Sequence, residues 1–344
     1  MDTIKKIKVL FKNKENSDFK FLAIYNKNQL RWLIPYERSS ALIFLNLFKT
    51  YKKKSFFGLL IIKICIFLKI QSILPNVKNQ KIPFKNKNLY DFGYRGLENP
   101  LLGFYIGTKG KHQKLTCLIV SKYSKKKLIA IKYPLGKESW NQIKKEHSNL
   151  KQLAKLKQFH SPAPIKIDKK NSFFVQECFD ADFSGTSLTN SHYSFLASLM
   201  LKDKMIELEI IKNDLKIFLK KNKKYLLKTG FYTLLQKYLN EINWIGQINQ
   251  TVVHGDFAPW NIFLTRDKKL RVIDWEYSNL SGLPFYDLYF YKFQLKKLLN
   301  KDIHIDLNLY KSLLIFKEDP YQIGLLENIR KCAMIKAKVN VNLI

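Results

Sequence analysis

Arginine is scarce in a chain otherwise crowded with positive charge. Only Arg31, Arg38, Arg95, Arg266, Arg271 and Arg330 contribute to the 61 basic residues, and the rest are lysines. Acidic residues number 27, which leaves a formal net charge of +34 over 344 residues. A field of that size attracts anionic membrane, nucleic acid or acidic substrates. The lack of an arginine or aromatic binding motif argues against nucleic acid as the partner. Abundant Lys, Asn and Ile is also the composition that an AT-rich coding sequence produces. Cysteine is limited to Cys65, Cys117, Cys178 and Cys332, with no C-x-x-C pair and no histidine at zinc-ligand spacing. A reduced, cytoplasmic compartment fits best. Long apolar runs are missing too. Met1 to Asn16 is basic and has no apolar core, so no signal peptide is expected. The most apolar stretch, Phe56 to Leu74, is broken by Lys63 and Lys69 and falls short of the roughly 20 residues of a spanning helix. It reads as a buried or interfacial helix. A cytoplasmic protein, with peripheral attachment at an anionic inner membrane surface, is the expectation.

What is present is a folded chain of two-lobe size, with 46% hydrophobic residues and no internal repeat. Residues 1–88 read as an appended region. Within it, Lys8–Phe11, Phe19–Tyr25 and Trp32–Pro35 are strand-like, Ser39–Tyr51 and Phe56–Leu74 helical, and Asn76–Asn88 a polar linker. Residues 89–179 follow with strands at Leu101–Gly107, Leu115–Ser121 and Leu128–Tyr133. A helix is predicted over Lys137–Lys157 on the stripe Ile143, Leu150 and Leu153, then a strand at Phe173–Glu177. Asp180–Ser184 suits a hinge. In residues 180–344 the pattern is helical from Ser191 to about Ile245. Short strands follow at Thr251–Val253, Ile262–Leu264 and Leu270–Ile273, and helices from Phe285 on, with a break at Asp319-Pro320.

Chemistry concentrates in Val253-His254-Gly255-Asp256-Phe257-Ala258-Pro259-Trp260-Asn261 and Val272-Ile273-Asp274-Trp275-Glu276. Phosphoryl transfer needs a carboxylate near the attacking hydroxyl and oxygen ligands for Mg²⁺. Asp256 suits the first role. Asn261 lies five residues on, in the same loop, and can turn its carbonyl back toward a metal. Asp274 lies 13 residues past Asn261, about the length of a β-hairpin, which would bring its carboxylate alongside.

These residues resemble the kinase catalytic loop H-x-D-x-x-x-x-N and the metal-binding Asp that follows it. The His-Gly-Asp form with Ile-Asp-Trp-Glu is similar to the aminoglycoside phosphotransferase and choline kinase-like family. The strings Asp256–Asn261 and Gly282–Leu288 look most like members associated with bacterial polysaccharide clusters. The resemblance implies an α+β, bilobal protein-kinase-like fold: a small antiparallel-sheet lobe with one helix, and a mainly helical second lobe. It implies an ATP-dependent phosphotransferase with Asp256 as base, His254 supporting the loop, and Asn261 and Asp274 holding Mg²⁺. Ile129-Ala130-Ile131-Lys132 resembles the V-A-I-K strand whose lysine binds the nucleotide phosphates, and Glu146 would position that lysine. Gly103, Gly107 and Gly110 lie between strand candidates, and backbone groups at Gly107 and Gly110 would cradle phosphate. Gln176 and Glu177 would border the adenine. Asp287 resembles the aspartate that braces the catalytic loop. Only 13 residues separate Asp274 from Asp287, too few for an activation segment, so a small-molecule or glycan acceptor is expected. A choline- or ethanolamine-type kinase and a catalytically silent adaptor on anionic surfaces are the alternatives.

Overall fold

The computed structural model describes residues 3–10, 18–47, 50–51, 53–83, 100–124, 127–156, 161–314 and 320–343. The chain divides into two compact units, residues 1–180 and 181–344.

The first unit is built on one antiparallel sheet. Its strands are β1 (Asp18–Asn26), β2 (Gln29–Pro35), β3 (Val77–Pro83), β4 (Pro100–Ile106), β5 (Lys114–Ser121), β6 (Lys127–Pro134), β7 (Pro164–Asp168) and β8 (Phe173–Glu177). They lie in the order β3-β1-β2-β4-β5-β6-β8-β7. Strand periodicity sends alternate side chains to opposite faces. In β1, Phe21 and Ala23 join a core with Phe104, Cys117 and Ile131, whereas Leu22 and Ile24 join a second core with Phe44, Leu45 and Ile66. Both faces are therefore covered. Among the described residues the unit also holds helices α1 (Thr3–Leu10), α2 (Arg38–Leu47), α3 (Lys53–Phe67) and α4 (Ser139–Lys155). On α4, Ile143, Glu146, Leu150 and Leu153 recur at helical spacing and are buried.

Several local expectations give way here. Lys8–Phe11 was expected as a strand, but residues 8–10 belong to α1, whose Ile4 and Ile7 are buried one turn apart; Phe11 lies outside the described residues. The polar stretch Asn76–Asn88 contains strand β3, paired antiparallel with β1; residues 84–88 lie outside the described residues. An edge strand needs only its backbone bonds and a few inward side chains, here Val77 and Ile82, so its sequence reads as a linker. The helix expected over Phe56–Leu74 ends at Phe67, and Lys69 takes a left-handed φ of 60°. β7, not anticipated, pairs with β8. Gly103 lies inside β4 and not in the glycine turn. It is glycine because the Phe44 ring occupies the space of a side chain: a Cβ there would sit 2.2 Å from Phe44 Cε1.

The second unit holds two three-stranded sheets among helices α5 (Asn190–Ser198), α6 (Leu208–Lys221), α7 (Lys223–Lys228), α8 (Phe231–Glu241), α9 (Tyr286–Leu299), α10 (Leu307–Ser312) and α11 (Pro320–Leu343). One sheet is β10 (Met200–Glu207), β11 (Gln247–Val253) and β14 (Asn279–Gly282). The other joins β9 (Asp182–Phe183) to the hairpin of β12 (Ile262–Leu264) and β13 (Leu270–Val272). β10 interrupts the helical stretch expected from Ser191 to Ile245, because Met200 and Met205–Glu207 pair with β11. Part of the expected hinge, Asp182–Phe183, is strand held against Phe263 and Leu264. Pro320 opens α11, as a helix-start proline does; Asp319 lies outside the described residues. Among the described residues no helix is long and apolar enough to cross a membrane.

The Gly103–Phe44 approach predicts that Gly103→Ala lowers stability by about 1–3 kcal/mol through overpacking. The double variant Gly103→Ala/Phe44→Leu should recover part of that loss. Urea unfolding of the four proteins in the cycle measures it, and purely additive losses would show that the ring is not the obstacle.

Candidate active site

In the second unit, β11 delivers the chain into His254, and the loop that follows is fixed by its backbone. The Asp287 carboxylate, in the first turn of α9, accepts the His254 N–H at 2.6 Å and the Gly255 N–H at 2.9 Å. Gly255 has φ +85°, and a Cβ there would lie 2.4 Å from the Tyr277 carbonyl oxygen, so only glycine fits. His254 is fully buried, against Trp275 with ring centroids 4.6 Å apart. Its Nδ1 accepts the Asp256 N–H at 3.2 Å, so Nε2 carries the proton and donates to the Ile273 carbonyl at 2.8 Å. The histidine thus ties the loop to the far strand of the hairpin.

The hairpin brings the remaining groups together. Asn261 precedes β12 and Asp274 follows β13, with Ile262 opposite Val272 and the Ile273 N–H donating to the Asn261 carbonyl at 2.9 Å. Asn261 Nδ2 donates to the Asp256 carbonyl at 3.0 Å and to Asp256 Oδ2 at 2.9 Å. Its amide nitrogen is therefore spent on Asp256, and the amide carbonyl is the atom left for a cation. Asp274 sits in the left-handed region at φ 63°. Desolvation and then the charge of Asp274 push the Asp256 carboxyl up to about 7; the Asn261 hydrogen bond opposes this, and Glu276 and Asp287 add to it. Burial likewise pushes Asp287 up to about 7, against the two amides that donate to it.

In the first unit, Lys132 on β6 and Glu146 on α4 form a buried ion pair, with Nζ 2.6 and 2.8 Å from the two carboxylate oxygens. The side chains are 4% and 0% exposed, so each charge relies on its partner. Gly107 and Gly110 flank the turn between β4 and β5. There the Gly107 N–H donates to the Lys114 carbonyl, and the Gln113 side chain donates to the Gly107 carbonyl. Gln176 and Glu177 end β8, opposite Ala130 and Ile129. Gln176 is buried and its side-chain Oε1 has no partner, whereas the Glu177 N–H is engaged by the Ala163 carbonyl.

Sequence reasoning missed Gly136 and Ser139. The Gly136 and Leu135 N–H groups both donate to the Gln113 carbonyl, and the Glu138 N–H to that of Lys111, tying the glycine turn to the start of α4. A Cβ on Gly136 would lie 2.3 Å from the Lys111 oxygen. Ser139 Oγ donates to the Gly136 carbonyl at 2.6 Å. The available signal was a Gly followed three residues later by Ser, a turn into a helix. His192 was also missed. It is buried beside Phe257 and Tyr291, with Nδ1 accepting from the Thr189 N–H as part of a helix N-cap.

Two outcomes follow for stability. Asp287→Ala leaves the His254 and Gly255 amides unpaired, at about 1–3 kcal/mol each. Urea unfolding should show it, and a loss under about 1 kcal/mol would mean that the loop is held otherwise. Burial depresses the His192 pKa to about 4, below its unfolded value of 6.5. Between those values the unfolded chain binds the extra proton, so stability falls as pH drops through that window, by about 1.4 kcal/mol per pH unit from this residue. The His192→Asn variant should show a correspondingly shallower slope in unfolding measured at pH 7, 6 and 5; equal slopes would refute the assignment.

Residues 220–292 match the family described as "Phosphotransferase enzyme family". No curated protein sequence matches the chain. Among solved structures, it is similar to aminoglycoside 2'-phosphotransferase-IIIa in its GDP complex, at 15% identity over 75% of this chain and 90% of the other, TM-score 0.47. It is also similar to a macrolide 2'-phosphotransferase from Brachybacterium faecium, at 12% identity over 70% and 87%, TM-score 0.46. A third is an ethanolamine kinase from Plasmodium vivax, at 15% identity over 81% and 80%, TM-score 0.45. The matched family segment runs from α6 to α9 and holds His254, Asp256, Asn261, Asp274 and Asp287. With an antiparallel-sheet unit followed by a mainly helical one, the chain is α+β, and the segment that carries the His254–Asp287 cluster matches the phosphotransferase enzyme family.

Proposed function

We propose that the chain transfers the γ-phosphate of ATP to a hydroxyl of a small molecule, sugar or glycan, with Asp256 as the base. The observation that carries this reading is the gathering of Asp256, Asn261 and Asp274 at the two ends of one hairpin, around a loop pinned by Asp287. A carboxyl pushed up to about 7 is poised to take a proton at neutral pH. Asn261 orients that carboxyl through its amide nitrogen, and His254 holds the loop backbone.

The donor set also fits Mg²⁺. Its groups are hard oxygens, the Asp274 carboxylate and the Asn261 amide carbonyl, and the Asp274 charge, which after desolvation raises Asp256, is what a divalent cation would offset. Asn261 and Asp274 would hold it, and there it would neutralise phosphate charge. Lys132, fixed by Glu146, is assigned to the nucleotide phosphates, with the Gly107–Gly110 turn supplying backbone donors and Gln176 and Glu177 bordering the base.

A small acceptor is supported by what fills the interval from Asp274 to Asp287. One 3₁₀ turn, Trp275–Tyr277, and β14 account for most of it, which leaves no length for a peptide-docking segment. The charge balance, +34, favours an anionic or neutral acceptor over a cationic one.

Phosphotransfer is read as ADP release against a panel of sugar, aminosugar and glycan acceptors. Asp256→Asn should reduce turnover on the order of a hundredfold or more with the fold intact by circular dichroism. Lys132→Ala should lose ATP use strongly and Glu146→Ala less so, while Lys126→Ala and Lys137→Ala stay near wild type. Equal losses at all four positions, or full turnover in Asp256→Asn, would sink the reading.

A further inference from the structure

Helix α3 is apolar around most of its circumference, broken within by Lys63, yet it lies on the surface. Its inner side is accounted for: Cys65 and Ile66 are buried, and Leu59 and Ile62 pack against the core of Leu22, Ile24 and Phe44. Its outer side presents Phe56, Phe57, Leu60, Ile61, Ile64 and Phe67, each 40–59% exposed. Their spacing of one, three and four residues puts them on one continuous helix face. Scattered exposed apolar residues are ordinary, but six large ones on a single helix face mark a contact surface.

The charge around the face selects its occupant. Lys53 and Lys54 open the helix and Lys69 follows it. Lys54 and Lys69 are exposed, and the Arg38 guanidinium lies over the Phe67 ring at 4.2 Å to the centroid. A second copy of this chain would bring another +34 against the first, so self-association over this face works against like charge. An anionic lipid surface offers the opposite charge and an apolar layer beneath it. At 15 residues the helix measures roughly 22 Å, less than the roughly 30 Å of a bilayer core, so it suits lying in the interface and not crossing it.

We propose that the outer face of α3 is a membrane-docking element. Its phenylalanines and isoleucines enter the acyl boundary of an anionic bilayer, and Arg38, Lys54 and Lys69 meet the lipid phosphates. The proposal is independent of the phosphotransfer reading, since none of these residues is assigned to the nucleotide, metal or acceptor. Both contributions are needed: lysines alone give attachment that vanishes within a Debye length of about 8 Å at physiological salt.

The test is co-sedimentation of the full chain with vesicles of phosphatidylcholine alone and of phosphatidylcholine with phosphatidylglycerol, at low and high salt. The triple variant Phe57→Glu/Ile61→Glu/Ile64→Glu is run in parallel. These positions are exposed, and circular dichroism with urea unfolding checks that the variant folds. The wild type should bind only the anionic vesicles, more weakly at high salt, and the triple variant at least tenfold more weakly. Because added glutamates also change charge, Phe57→Ser/Ile61→Ser/Ile64→Ser should lose binding likewise. Phe57→Trp should show fluorescence quenching by brominated acyl chains in anionic vesicles. Equal binding by wild type and the serine variant would overturn the proposal, leaving charge alone as the cause. So would an absence of anionic preference, or a wild-type dimer that the serine variant dissolves while neither binds vesicles.

Discussion

A buried carboxylate accepting two consecutive backbone N–H groups is the contact on which the candidate active site rests. Asp287 holds the amides of His254 and Gly255, and without it two donors would be stranded in the interior. The clamp fixes the direction in which the chain leaves β11. Everything after it inherits that direction: the left-handed turn at Gly255, the placement of Asp256, and the reach of His254 across to the Ile273 carbonyl. The carboxylate in turn depends on α9, a helix buried along most of its length, so the loop is anchored to a rigid element. Phe285, immediately before the helix, takes a positive φ of 64° to turn the chain into it.

Two buried charged groupings, one in each unit, obey one electrostatic rule in opposite ways. In the first unit, opposite charges at Lys132 and Glu146 are buried together and satisfy one another. In the second, burial and then the like charges of Asp274, Glu276 and Asp287 drive the Asp256 carboxyl upward, and that conflict is left unresolved. A settled pair suits a positioning device. An unsettled cluster suits a place where a proton or a cation is to be taken up. The surface follows a third pattern, an excess of lysine with few acidic partners, interrupted by the apolar face of α3.

How much of this was legible in the sequence depends on how far apart in the chain the deciding contacts lie. The spacing of His254, Asp256 and Asn261, and the hairpin-length interval to Asp274, are local, so the sequence alone determined their grouping. The short apolar runs of β1, β2, β5 and β8 could be read for the same reason: their composition is carried within one element. The sequence also determined the charge. Tertiary structure decided the rest. β3 is an edge strand whose pairing with β1 supplies what its polar sequence lacks, and β10 exists because β11 runs beside it. Which glycine serves which purpose was likewise undecidable locally. Gly103 makes way for the Phe44 ring, Gly136 for the Lys111 carbonyl and Gly255 for the Tyr277 carbonyl. A glycine's reason is the atom that presses on it, and that atom comes from a distant part of the chain which only folding brings close.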